Sequence, residues 1–301
     1  MNYSHTFEEI KDRPIAIIGA GTLGRRMGLM MSSRSGTVHI MDQNQEQAES
    51  AADFVNENLP QVIKDRDGKG EVGKAVGYSD LEKALKDAWL VIEAVPERLE
   101  IKVPLWGDID KHAEEDAIFG TNSSSIASSE MAENIKDKSR FCNLHFYMPP
   151  GANAADLMSD GETDPEVIET LQKVLPEFDV HPFLAKKEST GFIFNRIWAA
   201  IKRESLDVVA TGVAEPEDID SMFKLNWGMR KGPFEMMDGV GLDVVLDIEN
   251  HYASENPHLP EGPRELLKKY VDAGKLGLKT GEGFYKHPPK DENAKEDLNN
   301  W

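Results

Sequence analysis

The chain has little cysteine, no long apolar run and a deficit of positive charge. Its 301 residues include a single cysteine, Cys142, which excludes an internal disulfide and fits a reducing compartment. No apolar stretch is long enough to cross a membrane, and the acidic N-terminus has no signal-like core. Lys and Arg number 34 against 54 Asp and Glu, and the resulting net charge of −20 argues against nucleic acid or an anionic membrane as a partner. We therefore expect a soluble, cytoplasmic protein that acts on a small molecule.

The first part of the chain alternates short apolar segments with helix-like segments. The strands predicted from these apolar runs are 15–18, 38–41, 89–92, 117–119 and 141–144, and the helix-like segments include 44–59 and 97–111. Alternation of this kind predicts an α/β fold, with a mostly parallel sheet and helices on both of its faces.

From Ser189 onward strand signals disappear. Helices are predicted over 189–212, 215–225, 242–252 and 263–273, with Gly and Pro between them. The sequence thus predicts a Rossmann-type domain over 1–186, followed by a small all-helical domain over 187–301. Residues 290–301 are rich in Lys, Glu, Asp and Asn, which is typical of a mobile tail.

A glycine-rich segment directly follows the first predicted strand. Gly19, Gly21 and Gly24 have the G-x-G-x-x-G spacing, and a helical apolar repeat continues from Leu23. The first glycine permits a tight turn, the second lets backbone amides approach a pyrophosphate, and the third lets the helix pack closely on the sheet. The residues of this segment predicted to bind a dinucleotide are Gly19, Gly21, Thr22, Leu23 and Gly24. A purely structural glycine turn is the alternative.

Asp42 ends the second predicted strand, where a carboxylate can bind the adenosine ribose hydroxyls. The same carboxylate would repel a 2′-phosphate, and its successors Gln43 and Asn44 offer no positive charge. The predicted cofactor is therefore NAD rather than NADP.

Three further polar sites have both a functional and a structural interpretation. The serines of the segment 120–125 follow a strand and can hydrogen-bond a substrate oxygen, or simply cap the next helix. His145 follows the strand 141–144 and can act as a general base, because the ordinary pKa of histidine is about 6.5; a structural histidine is the alternative. Asn195 lies among large apolar residues and either satisfies a buried backbone group or contacts a ligand. Cys142 and His145 have C-x-x-H spacing without a second ligand pair, so no metal site is predicted.

Taken in order, these segments resemble the 3-hydroxyacyl-CoA dehydrogenase family over essentially the whole chain. The matching segments are the glycine loop with Asp42; Glu93-Ala-Val-Pro-Glu97 followed by Lys102; Thr121-Asn-Ser-Ser124-Ser125; His145-Phe-Tyr; Gly191-Phe-Ile-Phe-Asn195-Arg196; Gly232-Pro-Phe-Glu235 with Asp238 to Asp243; and Lys275-Leu-Gly-Leu-Lys279-Thr-Gly-Glu-Gly-Phe-Tyr285.

The resemblance implies an NAD-dependent enzyme that oxidises the 3-hydroxy group of a short 3-hydroxyacyl-CoA. It implies that His145 is the general base, that Ser124 and Asn195 hold the 3-oxygen, and that the helical domain forms a homodimer. The residues that it places near the cofactor are Glu97, Lys102, Ser124 and Lys279.

The chain departs from the family pattern at several positions. The family pairs its histidine with a glutamate, whereas the nearby acid here is Asp156, which is shorter; Met148 stands where the family commonly has Asn. The segment after Asp42 lacks the basic helical hairpin that clamps CoA phosphates. It carries four acids over 44–60, and beyond them Lys64, Arg66 and Lys69 alternate with Asp65 and Asp67.

These departures keep two other functions open. One is oxidation of a free hydroxy acid, as in gulonate and carnitine dehydrogenases, with Arg230 available to bind the substrate carboxylate. A surface or interface ion pair is the alternative for Arg230. The other is a non-catalytic nucleotide-binding protein of the lens-crystallin type, against which the joint presence of Ser124, His145 and Asn195 argues.

Overall fold

The computed structural model describes residues 3–66, 70–288 and 298. The chain divides into two compact units between Ile193 and Phe194. Asp67, Lys69 and, apart from Leu298, the predicted tail lie outside the described residues. No helix in the described ranges is long and apolar enough to span a membrane.

The first unit contains one eight-stranded sheet with the order β3-β2-β1-β4-β5-β6-β7-β8. Its strands are β1 Ile15–Ile18, β2 Thr37–Met41, β3 Lys74–Tyr78, β4 Leu90–Glu93, β5 Ile118–Thr121, β6 Phe141–Met148, β7 Ala152–Met158 and β8 His181–Ala185. Only the β6–β7 pair is antiparallel; the other neighbours run parallel. The predicted mostly parallel sheet is confirmed.

Helices cover both faces of this sheet. Successive side chains of a strand point to opposite faces and therefore pack in two different cores. Ile15 and Ile17 pack in one core, whereas Ala16 and Ile18 pack in the other. The helices of this unit are α1 Phe7–Ile10, α2 Thr22–Met31, α3 Gln45–Asp65, α4 Leu81–Leu85, α5 Leu99–His112, α6 Ser128–Met131 and α7 Pro165–Val174.

The second unit consists of helices joined by loops, with two isolated antiparallel bridges, Gly277 to Glu282 and Glu282 to Lys286. Its helices are α8 Phe194–Ala210, α9 Pro216–Trp227, α10 Pro233–Val240, α11 Leu242–Glu255 and α12 Gly262–Asp272. A separate apolar core, with Leu206, Phe234 and Leu242 at its centre, holds them together. The predicted helical domain is confirmed, although α10 was not predicted.

The main differences from the prediction are three missed strands, the end of β6 and the start of α8. Strands β3, β7 and β8 were not predicted, since their sequences lack a clear apolar run. Strand β6 extends to Met148, so His145 lies within a strand and not after it. Helix α8 begins at Phe194 and not at Ser189, because Gly191 and Phe192 have φ of 74° and 52°, which is incompatible with a right-handed helix.

Candidate active site

The glycine loop is tightly packed on one side and open on the other. At Gly19 (φ 117°) a Cβ would lie 2.6 Å from the Ala94 carbonyl oxygen, and at Gly24 it would lie 1.9 Å from that of Gly19. At Gly21 a Cβ would meet nothing within 4 Å. Helix α2 begins directly after Gly21, so its free N–H groups adjoin this open space. The loop therefore has the form that a diphosphate at a helix N-terminus requires.

Asp42 lies beside this loop at the end of β2. Its carboxylate accepts hydrogen bonds from the Ala20 N–H at 3.2 Å and from the Asn44 N–H at 3.0 Å. The side chain is half-buried, and the residues that follow it, Gln43 and Asn44, are exposed and uncharged. These features suit ribose hydroxyls and provide no cation for a 2′-phosphate, so the loop and Asp42 fit NAD.

Glu97 determines the conformation of the serine segment after β5. Its Oε1 accepts hydrogen bonds from the Ser123 hydroxyl (2.5 Å), the Ser124 N–H (3.0 Å) and both the N–H (2.9 Å) and hydroxyl (3.0 Å) of Ser125. Partial burial opposes ionisation of Glu97, but the Lys102 charge and the serine donors outweigh it, so the pKa of Glu97 is lowered. The N-cap of α6 is Ala127, so the serines do not cap that helix.

Ser124 differs from its two neighbours in this segment. The residue is exposed, and its hydroxyl makes no hydrogen bond with any residue that the structure describes. The Ser124 hydroxyl is therefore the member of the segment that is available to a ligand.

Lys102 is buried next to this segment and forms two ion pairs. Its ammonium lies 2.6 Å from Glu93 Oε1 and 3.3 Å from Glu97 Oε2. Glu93 also accepts the Thr121 hydroxyl at 2.7 Å. Because Lys102 is 1% exposed, its charge acts through the two carboxylates that it touches.

His145 is buried and contacts two aromatic rings. It stacks on Phe192 with ring centroids 5.1 Å apart and meets the edge of Tyr147 at 5.0 Å. Its Nδ1 is buried and has no hydrogen-bond partner among the described residues. Burial lowers the pKa of His145 from 6.5 to about 4, and the negative charge of Glu97 only partly opposes that shift.

Asp156 lies directly opposite His145 in the β6–β7 register. The structure thus brings the two residues together, but Asp156 Oδ2 is 4.0 Å from His145 Nδ1, beyond hydrogen-bonding distance. The same oxygen accepts the Tyr147 hydroxyl at 2.5 Å. Burial raises the pKa of Asp156, while the hydrogen bonds from Tyr147 and the Ile193 N–H act in the opposite direction.

Tyr147 is the residue of this group that the sequence did not single out. A strand that continues to Met148 would have placed residues 145 and 147 on the same face, since side chains alternate along a strand. The predicted strand ends at residue 144, so the sequence pattern leaves both residues outside it.

In the second unit, Asn195 lies in the first turn of α8 and is half-buried. Its amide makes no hydrogen bond with any described residue, so it does not satisfy a buried backbone group there. Lys279 pairs with Asp243 at the surface of this unit, and Arg230 is exposed.

The Asp238 carboxylate fixes the conformation of the glycine-rich segment 275–287 in the second unit. This fully buried carboxylate accepts the N–H groups of Phe284 and Tyr285, both at 2.9 Å, and contacts His287 Nε2 at 2.8 Å. In the sequence Asp238 stands out only as part of a motif, and its structural role follows from these contacts.

Comparison with known families agrees with both units. The family model described as 3-hydroxyacyl-CoA dehydrogenase, NAD binding domain, matches residues 14–188. The model described as 3-hydroxyacyl-CoA dehydrogenase, C-terminal domain, matches residues 191–287. The chain belongs to the 3-hydroxyacyl-CoA dehydrogenase family. It is therefore an NAD-dependent oxidoreductase that acts on a CH–OH group, and the predicted cofactor is confirmed.

Individual relatives cover nearly the whole of this family member. A probable 3-hydroxyacyl-CoA dehydrogenase of Caenorhabditis elegans is 32% identical over 299 residues, which are 94% of this chain and 96% of the relative. The solved structure of (S)-3-hydroxybutyryl-CoA dehydrogenase from Ralstonia eutropha has a TM-score of 0.82 at 28% identity, covering 92% of this chain and 99% of its own. A diketoreductase that acts on dicarbonyl compounds has a TM-score of 0.78 at 30% identity with the same coverage.

The described part of this 3-hydroxyacyl-CoA dehydrogenase family member contains no group of three or more His, Cys, Asp and Glu side chains arranged to hold a metal ion. Cys142, the residue of the C-x-x-H spacing, is buried, and burial raises the pKa of its thiol to about 12. The thiol is therefore protonated at neutral pH, the form in which it is a poor ligand.

Proposed function

We propose that this chain oxidises the 3-hydroxy group of a short 3-hydroxyacyl-CoA to the 3-oxo group and catalyses the reverse reduction. The observation that carries the proposal is the position of His145, opposite Asp156 on neighbouring strands of an NAD-binding unit. NAD would supply the hydride acceptor for C3 when it is bound. The residues that would hold it are Gly19, Gly21, Thr22, Leu23, Gly24 and Asp42, with Glu97, Lys102, Ser124 and Lys279 as further candidates.

His145 is proposed to take the proton of the 3-hydroxyl at Nε2. Its lowered pKa keeps the imidazole neutral at neutral pH, which is the form that can accept a proton. The imidazolium that forms would then be stabilised by the Asp156 carboxylate, 4.0 Å from the other ring nitrogen.

Ser124 and Asn195 are proposed to donate hydrogen bonds to the 3-oxygen. The Ser124 hydroxyl and the Asn195 amide have no hydrogen-bond partner among the described residues, so both retain a donor for the substrate. Donors of this kind stabilise an oxygen that gains negative charge as the reaction proceeds.

We further propose that residues 1–186 form the NAD-binding domain and that residues 187–301 supply the substrate and homodimer surfaces. The helical unit exposes several large apolar side chains, which is typical of an interaction surface: Ile197, Met222, Leu225 and Trp227. A cytoplasmic location is proposed from the single, buried cysteine.

Oxidation of a free hydroxy acid is a second candidate, favoured by one observation. Between strands β2 and β3 the described residues form one helix, α3, whose exposed acids include Glu46, Glu49, Asp53 and Glu57. Of the basic residues near its end that the structure describes, Lys64 is exposed, whereas Arg66 is paired with Asp179 at 3.1 Å. This surface repels CoA phosphates. Arg230 would then bind the carboxylate of the free acid.

An NADH absorbance assay separates the candidates. We expect faster NADH consumption with acetoacetyl-CoA than with acetoacetate, and the reverse order would favour the free-acid enzyme. His145→Gln should lower turnover by about 10²–10⁴, the usual contribution of general acid–base catalysis, without changing NAD binding measured by calorimetry. An unchanged rate in this variant would remove His145 from the mechanism. NAD binding without turnover on any of these substrates would indicate the non-catalytic alternative.

A further inference from the structure

We propose that Tyr147 is a positioning residue of the active site: its hydroxyl holds Asp156 away from His145 while the imidazole is neutral, and Asp156 moves towards Nδ1 once His145 takes a proton. The proposal rests on the proposed role of His145 as general base. It concerns a residue that acts through Asp156 and need not touch the substrate.

The first support is the geometry of the three side chains. His145 and Asp156 are paired across β6 and β7, and Tyr147 follows His145 on β6. Tyr147 places its ring edge against the imidazole at 5.0 Å and its hydroxyl 2.5 Å from Asp156 Oδ2. A hydrogen bond of this length to a carboxylate is charge-assisted and stronger than a neutral one.

The second support is the unsatisfied nitrogen of His145. If Nε2 accepts the substrate proton, Nδ1 carries the hydrogen in the neutral ring, and this buried donor has no partner among the described residues. Its nearest carboxylate oxygen is 4.0 Å away. A buried donor that makes no hydrogen bond costs free energy. The hydrogen bond that Nδ1 lacks in the neutral ring can therefore form when His145 is protonated.

A carboxylate can serve both partners. Each oxygen has two lone pairs, so Asp156 can keep the Tyr147 hydroxyl while accepting Nδ1–H. The displacement needed is only about 1 Å, the difference between 4.0 Å and an ordinary hydrogen bond. The ionisable groups that face His145 are Asp156 and Tyr147 on the strand pair, and Glu97 from the segment after β4. Of these ionisable groups, Tyr147 is the one that hydrogen-bonds Asp156, which also accepts the Ile193 N–H, so the Tyr147 hydroxyl controls how far the carboxylate is available to His145.

The test is a ¹³C-histidine NMR titration of the enzyme without substrate, with the His145 signal assigned by its loss in His145→Gln. Tyr147→Phe should raise the pKa of His145 by about one unit or more, because the freed carboxylate then accepts Nδ1–H. In an Asp156→Asn background the same substitution should change nothing. The acid limb of kcat/KM should move to higher pH with Tyr147→Phe, while KM stays the same.

An unchanged pKa of His145 in Tyr147→Phe, or an equal shift in the Asp156→Asn background, would overturn the proposal. Global incorporation of 3-fluorotyrosine provides a second measurement if Tyr147→Phe does not fold. The more acidic phenol strengthens its bond to Asp156, so the pKa of His145 should fall; a rise would contradict the proposal. The titration needs no turnover, so it can succeed even if the proposed substrate is wrong.

Discussion

The Lys102 ammonium and the Glu93 carboxylate form a 2.6 Å ion pair in which both side chains are shielded from solvent. The pair extends through Glu97, 3.3 Å from Lys102, to the serine segment that contains Ser124. A buried cation therefore balances the two carboxylates on which the conformation of this segment depends. Removing it would leave both carboxylates without their ion-pair partner.

We expect Lys102→Met to destabilise the protein by about 3–5 kcal/mol, the usual cost of leaving one member of a buried ion pair without its partner. The matched control is Lys111→Met on the same helix, whose ion pair with Asp108 is more than half exposed. Exposed pairs contribute at most about 1 kcal/mol. Urea unfolding monitored by circular dichroism measures the free energy of unfolding of both variants. Equal losses would show that the buried ion pair stabilises the protein no more than the exposed one.

Two alanine substitutions in the glycine loop should have different effects. The Cβ of Gly21→Ala would lie in open space, and the φ of −69° at this position is one that alanine adopts without strain. We therefore expect an unchanged melting temperature without NAD and weaker NAD binding. Gly24→Ala would place its Cβ 1.9 Å from the Gly19 carbonyl oxygen, so the melting temperature itself should fall. Calorimetric titration and thermal unfolding of the two proteins provide the comparison. If Gly21→Ala bound NAD as tightly as the wild type, the open space above the loop would not be the diphosphate site.

The sequence predicted the parts of this site that depend on local pattern. The glycine loop, Asp42 and the approximate position of His145 follow from residue types next to apolar strands. The antiparallel pairing that sets Asp156 opposite His145 did not follow, because β7 is alanine-rich and has no strong strand signal. Phe192 also lay beyond prediction. Its left-handed conformation, which lets its ring stack on His145, is rare for a large side chain and depends on tertiary packing.

The buried carboxylate of Asp238 should be essential to the second unit. Asp238→Ala leaves the N–H groups of Phe284 and Tyr285 without their acceptor, and we expect a loss of more than about 2 kcal/mol from these two donors together. Asp243→Ala, which removes only the exposed partner of Lys279, is the control and should lose less than about 1 kcal/mol. Thermal unfolding and limited proteolysis of the 275–287 segment would measure the effect. Equal protease resistance in the two variants would contradict this role.

Burial of His145 predicts a loss of stability in mild acid. Its pKa is 6.5 in the unfolded chain and about 4 in the folded one, so between these pH values the unfolded state binds more protons. The free energy of unfolding should therefore be fully retained above pH 6.5 and decrease towards pH 4, by roughly 3 kcal/mol in total at about 1.4 kcal/mol per pKa unit. Denaturant unfolding at a series of pH values measures this slope.

His145→Gln isolates this contribution. Asp156 has a raised pKa and gives a slope of opposite sign in the acid range, but it is present in both proteins. The difference in unfolding free energy between wild type and His145→Gln should thus change across pH 4–6.5 and be constant above it. A difference that does not vary with pH would mean that the folded protein accepts a proton on His145 as readily as the unfolded chain. Burial among Phe192 and Tyr147 would then not control its charge, and the neutral imidazole on which the proposed base depends would have another origin.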